Sequence, residues 1–252
     1  MIYRLDAACI SHTGQIRRSN EDNFCFDKAY LEQIHGTMTQ PINSRKFMLN
    51  RWFSAVFDGM GGENFGELAS FAAAETMAAI PTNRSIHLPP EAYLRELAQM
   101  LNDSVLHAQQ QMHTTRMGTT MVSLLLHRGY AYFCNLGDSR SYRLRDGVLT
   151  QMSKDHAAVS LARPGSKAPL TQHLGIDPED MVIDPHIVAE KYRRGDWYLL
   201  CSDGLSDMVP DEEIAQILYA SKGATECVQR LTSSALDHGG RDNITIIAVR
   251  IY

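Results

Sequence analysis

Trp52-Phe-Ser-Ala-Val-Phe-Asp58-Gly-Met-Gly-Gly62 is the stretch around which the rest of the chain can be placed. Its first six residues are rich in aromatic and β-favouring types, as in a buried strand, and the run stops at Asp58, where three glycines occupy the next four positions. A carboxylate is thus held at a strand end. Gly59 leaves its carbonyl open to close approach, and Gly61 and Gly62 permit backbone angles that a side chain forbids, so the turn can wrap a small cation. A lone Asp-Gly pair marks no more than a turn, so a cation site needs further acids.

Three more acids stand at comparable places. Trp197-Tyr-Leu-Leu-Cys-Ser202 runs into Asp203-Gly204, and Tyr130-Ala-Tyr-Phe-Cys-Asn-Leu-Gly137 runs into Asp138. Asp242 follows His238-Gly-Gly-Arg and precedes the strand-like Asn243-Ile-Thr-Ile-Ile-Ala-Val249. In an antiparallel sheet the end of one strand lies beside the start of the next, so the four carboxylates can gather at one rim. Uncompensated acids about 4 Å apart repel by roughly 4 kcal/mol per pair at near-surface dielectric, so a cluster implies bound cations or raised pKa values. Oxygen-only ligands favour Mg²⁺, Mn²⁺ or Ca²⁺ over zinc. Any one of these acids alone reads more simply as a turn or capping residue; the set is what points to a metal site.

The chain has 252 residues, 44% hydrophobic and 21% charged, enough for one large core or two small ones. A net charge of −5 argues against bulk attraction to nucleic-acid phosphates. Five cysteines form no Cys-x-x-Cys pair, and several fall in apolar runs, which fits a reducing, cytoplasmic setting. No signal-peptide core or membrane-length apolar run is present, so neither export nor a membrane is expected.

Taken in order, strands are expected at 2–9 and 23–26, with a loop or peripheral hairpin over 28–51 marked by Pro41, Asn43, Ser44, Arg45 and Lys46. An alanine-rich helix is expected over 66–79, ended by Pro81. A second helix starts near Pro90, with Leu94, Leu97, Ala98, Leu101, Val105, Ala108 and Met112 as its buried stripe. Arg95, Glu96, Asn102 and Gln109 are left outside it. An antiparallel meander follows, with strands at 119–127, 130–136, 141–145 and 148–152. Residues 153–180 lose periodicity and contain Pro164, Gly165, Pro169, Gly175 and Pro178, as in a surface excursion. Strands return at 181–188 and 197–202, helices at 211–219 and 224–236, and a last strand at 243–251. This order predicts an α+β fold in one domain: two antiparallel sheets face to face with a helix pair outside each, a four-layer α-β-β-α sandwich.

The assembled segments resemble the metal-dependent protein phosphatase (PPM, or type 2C) family. They are Gly14-Gln-Ile-Arg17-Arg-Ser-Asn20-Glu21-Asp22, Phe57-Asp58-Gly59-Met60-Gly61-Gly62, Met117-Gly118-Thr119-Thr120, Asn135-Leu-Gly137-Asp138-Ser139-Arg140, Cys201-Ser202-Asp203-Gly204-Leu205-Ser-Asp207 and Gly240-Arg241-Asp242-Asn243, in the family's order. The resemblance implies the same four-layer sandwich with a two-metal centre at one end of the sheets. It implies that Asp58 bridges two Mn²⁺ or Mg²⁺ ions, that Gly59 ligates one through its carbonyl, and that Asp203 and Asp242 hold the other. Glu21 and Asp22 would act mostly through metal-bound waters, and Asp138 with Asp203 matches a third, weaker site. Arg17, rather than its neighbour Arg18, matches the arginine that grips the substrate phosphate. Asp207 and Asn243 would orient ligands and waters.

The implied activity is protein serine/threonine phosphatase, hydrolysing phosphoserine and phosphothreonine by direct attack of a metal-bridging hydroxide with no phosphoenzyme. Phosphorylated proteins as substrates, an opposing serine/threonine kinase and a monomeric state go with it. Two other readings stand beside it: a catalytically weak phosphoprotein-binding module on the same fold, and a phosphohydrolase of small molecules. The chain departs from many animal relatives at Met60, where they carry a proton-donating histidine. Its flap-like segment, 157–173, is short and its 28–51 stretch long for a bacterial relative. His156, after Asp155, reads as a structural residue, and the glycines of 59–62 match neither a P-loop nor a dinucleotide fingerprint.

Overall fold

The computed structural model describes residues 3–48, 51–61, 65–81, 88–158, 160 and 167–252. Gly62 and part of the 157–173 segment lie outside them. Among the described residues there are two six-stranded sheets whose strand pairs are all antiparallel. In the first, β3 (Ile42–Met48), β1 (Tyr3–His12), β12 (Ile244–Ile251), β11 (Trp197–Cys201), β8 (Arg140–Arg145) and β9 (Val148–Gln151) lie side by side in that order. In the second the order is β10 (His186–Lys191), β7 (Tyr130–Leu136), β6 (Met121–His127), β4 (Arg51–Met60) and β2 (Asp22–Phe26), with the short β5 (Gly118–Thr119) on the end of β4.

Alternation along the strands builds three packed layers of side chains. Phe24, Phe26, Val56, Val122 and Leu124 face Leu5, Ala7, Tyr198, Leu200, Ile247 and Val249 between the sheets. The other face of the second sheet, with Cys25, Ala55 and Phe57, packs on α1 (Gly66–Ala79) and α2 (Pro90–Gln111). The other face of the first, with Ala8, Ile10, Leu199, Ile246 and Ala248, packs on α4 (Asp211–Ala220) and α5 (Ala224–Asp237). Both faces of each central strand are therefore buried, which is why these strands read as continuous apolar runs. The expected four-layer α+β sandwich is the one observed.

Helix ends follow local chemistry. α1 stops because Ile80, before Pro81, is forced to extended geometry with ψ 124°, and α2 opens on Pro90, whose missing N–H costs nothing at a first turn.

Several expectations need correction. The meander is divided between the sheets: β6 and β7 pair in one, β8 and β9 in the other. The crossing is made at Gly137, with φ +101°, a left-handed conformation that glycine adopts without strain. Residues 28–51 do not form a separate hairpin; β3 pairs with β1 at the edge of the first sheet. The strand expected from Met181 begins only at His186, after Pro185, which has no N–H to give a ladder, and Val182 is exposed. Met112 lies past the end of α2 and is exposed, whereas Asn102 and Gln109 are buried. Asn102 Oδ1 accepts from Gly175 N at 2.8 Å and Ile176 N at 3.1 Å, and Gln109 Nε2 donates to Met117 O at 2.6 Å and Gly175 O at 2.8 Å. These two amides tie the chain after residue 173 to α2. A further one-turn helix, α3 (Asp203–Ser206), follows β11 directly.

Candidate metal centre

The rim where β4, β7 and β11 end and where β2 and β12 begin collects the expected acids. Asp22 at the start of β2 stands opposite Asp58 on β4. Asp203 follows β11 and Asp242 precedes β12, which pair antiparallel. Asp58, Gly59, Glu21, Asp138, Asp203, Asp242, Asn243 and Arg17 all line one pocket of about 530 Å³, together with Met60, Thr120 and Lys167.

The backbone holding Asp58 is tightly bonded. Its carbonyl accepts from Thr120 N and Thr119 Oγ1, both at 2.9 Å. Its N–H donates to Thr120 Oγ1 at 3.1 Å, and that hydroxyl meets Ser139 Oγ at 2.7 Å. Gly59 N donates to Glu21 O at 3.1 Å, and a β-carbon at Gly59 would run into the carbonyl oxygens of Glu21 and Gly66. Only glycine lets these three segments meet. Asn243 pins the Arg17 loop to β12: its Oδ1 accepts from Glu21 N at 2.8 Å, and its Nδ2 donates to Thr13 O at 2.8 Å and Ser19 O at 2.9 Å. Asp207 is bound through its N–H to Asp203 O at 2.7 Å, and its carboxylate stands 3.6 Å from Lys167 Nζ. His156 is structural, its N–H donating to Gly137 O at 3.0 Å and its Nδ1 accepting from Gly137 N.

The electrostatics are those of crowded, dry acids. Burial, then Asp203, Asp22, Asp138 and Asp242, push the Asp58 carboxyl well above the usual carboxylate range. Burial pushes Asp22 up to about 7, against the hydroxyls of Ser202 and Thr245. Burial also pushes Asp203 up to about 6, with Lys167 opposing. Asp138 and Glu21 are raised, in both cases chiefly by burial. Asp242 alone is lowered: burial acts upward, but hydrogen bonds and charge from Arg17 and Lys167 outweigh it. Arg17 Nη2 donates to Asp242 Oδ2 at 2.8 Å.

Whether this set fits divalent ions can be judged from the donors. Asp22 Oδ1, Asp203 Oδ1 and Glu67 Oε2 are buried without a hydrogen-bond partner, an arrangement that costs free energy unless a cation or water completes it. Among the described residues no three acids stand close enough around one point to chelate an ion without adjustment. Lys167 Nζ instead lies against Asp203 Oδ2 and 3.1 Å from Asp242 Oδ2, a cation where the donor set calls for one. All-carboxylate and carbonyl oxygens in a pocket with excess negative charge fit hard divalent cations.

Sequence reasoning assigned no part to Lys167, Glu67 or Ser202. Ser202 Oγ, which donates to Asp22 Oδ2 at 2.7 Å, sits inside a quoted motif. Glu67 reads only as an acid in the first turn of α1. Lys167 lies in the aperiodic segment.

The raised acids give a pH dependence with a definite sign. Between about pH 4 and 7 folded Asp22 and Asp203 keep protons that the unfolded chain, with carboxyl groups near 3.8, has released. The folded state then binds more protons, so stability falls as pH rises through that window. These two groups take stability away between pH 5 and pH 7 in chelated protein, while His12, His156 and His173, held by burial below the usual imidazole range, act the other way. Asp22→Asn is therefore expected to remove its share of the loss and shift the slope upward. An identical slope in the variant would contradict this.

Comparison with known proteins bears on the family. A family model described as "Protein phosphatase 2C" matches residues 45–238. The serine/threonine phosphatase stp of Listeria monocytogenes is 32% identical over 256 residues, covering 94% of this chain and 92% of that protein. The catalytic domain of the phosphatase PstP, solved in complex with two manganese ions, superposes with TM-score 0.77 at 30% identity, covering 99% of both chains. PppA of Pseudomonas aeruginosa, described as a key regulatory component of T6SS, gives TM-score 0.78 at 29% identity, over 99% of this chain and 98% of that one. A family model spanning most of its length and a relative this similar along nearly all of both chains show that the chain belongs to the protein phosphatase 2C family.

Proposed function

We propose that this chain hydrolyses phosphoserine and phosphothreonine in phosphoproteins, using Mn²⁺ or Mg²⁺ held by Asp58, the Gly59 carbonyl, Asp203 and Asp242, with Glu21 and Asp22 acting through waters. Asp138 with Asp203 would offer a third, weaker position. The observation that carries this is the convergence of buried, partly unpartnered acids from both sheets on one pocket with an arginine at its rim. When bound, the ions supply a water acidic enough to attack phosphorus near neutral pH, with no covalent enzyme intermediate.

The chain's own groups do the rest. Arg17, half exposed, is placed to exchange its Asp242 contact for a bidentate grip on phosphate oxygens. Asn243 keeps the Arg17–Asp22 segment in register with Asp242. The Met60 thioether has no proton to give, so the leaving oxygen takes its proton from solvent. A binding module with no turnover would have no use for acids that destabilise its fold, so that reading is not favoured. A serine/threonine kinase must supply the substrate. Five free, buried cysteines suit a reducing compartment, and no described helix is long and apolar enough to cross a membrane.

Phosphate release from a phosphothreonine peptide is expected to require added Mn²⁺ and to stop with chelator. Arg17→Ala is expected to lower kcat/KM by about 10–100-fold, the worth of one hydrogen bond to a charged group. Metal-independent release, or faster release from small phosphate esters than from phosphopeptides, would count against the proposal.

A further inference from the structure

Lys167 makes the contacts that the acid set reserves for a cation. Its ammonium touches Asp203, lies 3.1 Å from Asp242 Oδ2 and is 3.6 Å from Asp207 Oδ2. The side chains of Asp203 and Asp242 are only 10% and 19% exposed, so this is not a pair in open water, where such contacts contribute little. The segment behind the lysine is braced. Thr171 N donates to His156 O and Ala158 N to Pro169 O, both at 2.9 Å, and His156 is itself bonded to Gly137 beside Asp138. Ala168, Pro169 and Leu170 wall the same pocket. The lysine side chain is half exposed on a flexible four-carbon stem, so it can leave without disturbing the sheets.

We propose that Lys167 is a built-in counter-cation that competes with the divalent ion for Asp203 and Asp242, so that metal loading expels it and docking of its segment sets the metal affinity. This rests on the assignment of those two acids to the metal made above. The competition is reciprocal: whatever factor the docked lysine takes from metal affinity, bound metal takes from docking. Asp203 keeps Oδ1 unpartnered while Oδ2 holds the lysine, so the displacing ion finds a free oxygen on entry. While docked, the amine donates to Asp203 Oδ2 and Asp242 Oδ2, so a reagent meets it less readily than a free amine.

Two measurements test this. In calorimetric titration of metal-stripped protein, Lys167→Met is expected to bind Mn²⁺ about tenfold more tightly than wild type or better, and Lys167→Arg, which keeps the charge, to stay near wild type. In the unmutated protein, acetylation of Lys167 by an amine-reactive ester, read by mass spectrometry, is expected to speed up several-fold when Mg²⁺ is saturating, with exposed Lys222 unchanged. Equal Mn²⁺ affinity in wild type and Lys167→Met, or Mg²⁺-independent labelling, would overturn the competition while leaving the metal site intact. If wild type binds no divalent ion, the metal assignment itself fails and the competition with it.

Discussion

Asp203→Asn is expected to lower phosphate release from a phosphothreonine peptide by about a thousandfold or more at saturating Mn²⁺, since a metal centre supplies several kcal/mol of charge stabilisation. The amide has nearly the shape of the carboxylate, so β11 and α3 keep their packing. What disappears is one negative charge at a place where Asp58, Asp138 and Asp242 all face it. The same substitution removes repulsion among buried acids, so the metal-free variant is expected to melt above metal-free wild type while responding less to Mn²⁺. Loss of activity with gain of metal-free stability separates a metal ligand from a structural residue. Activity within tenfold of wild type would contradict the assignment of Asp203.

Asp196→Ala is expected to cost about 3–5 kcal/mol of stability, the usual loss when one partner of a buried ion pair is removed. Asp196 is 1% exposed and accepts from Arg145 Nε at 2.7 Å, Arg145 Nη2 at 2.6 Å, Tyr198 OH at 3.0 Å and Arg193 N at 2.6 Å. Arg145 and Arg143 on β8 also reach Glu190 on β10, at 3.3 and 2.5 Å, so the network staples one sheet to the other. It stands where β11 begins and β8 ends, opposite the acid rim. Urea denaturation should therefore show the loss while kcat of the molecules that remain folded is unchanged. A drop in kcat at full folding would mean that the far end of the sandwich is coupled to the site.

Asp58, Asp138, Asp203 and Asp242 were legible because each stands at the end or the start of an apolar strand run, a place where a carboxylate has no packing reason to be. Their meeting at one rim followed from antiparallel pairing, and Asp22 opposite Asp58 and Asp203 near Asp242 bear that out. The helices were legible from spacing, but Asn102 and Gln109 were misplaced, because a polar residue on a helix tells nothing of a loop that returns to bond it. The division of the meander at Gly137 was not legible either. β7 is nearly all apolar and β8 alternates Tyr142 and Leu144 with Arg143 and Arg145, but neither pattern says which of two sheets a strand joins. Lys167 lies in an aperiodic stretch whose prolines and glycines mark a loop but not where the loop goes, and its position emerges only when the segment folds back over the rim.

The most direct test of the central claim is Mn²⁺ located by anomalous diffraction in crystals of the protein soaked with the metal. Two peaks flanking the Asp58 carboxylate, one shared with the Gly59 carbonyl and one with Asp203 and Asp242, are the expected result. Manganese bound elsewhere, with Asp58 left without an ion, would contradict the account.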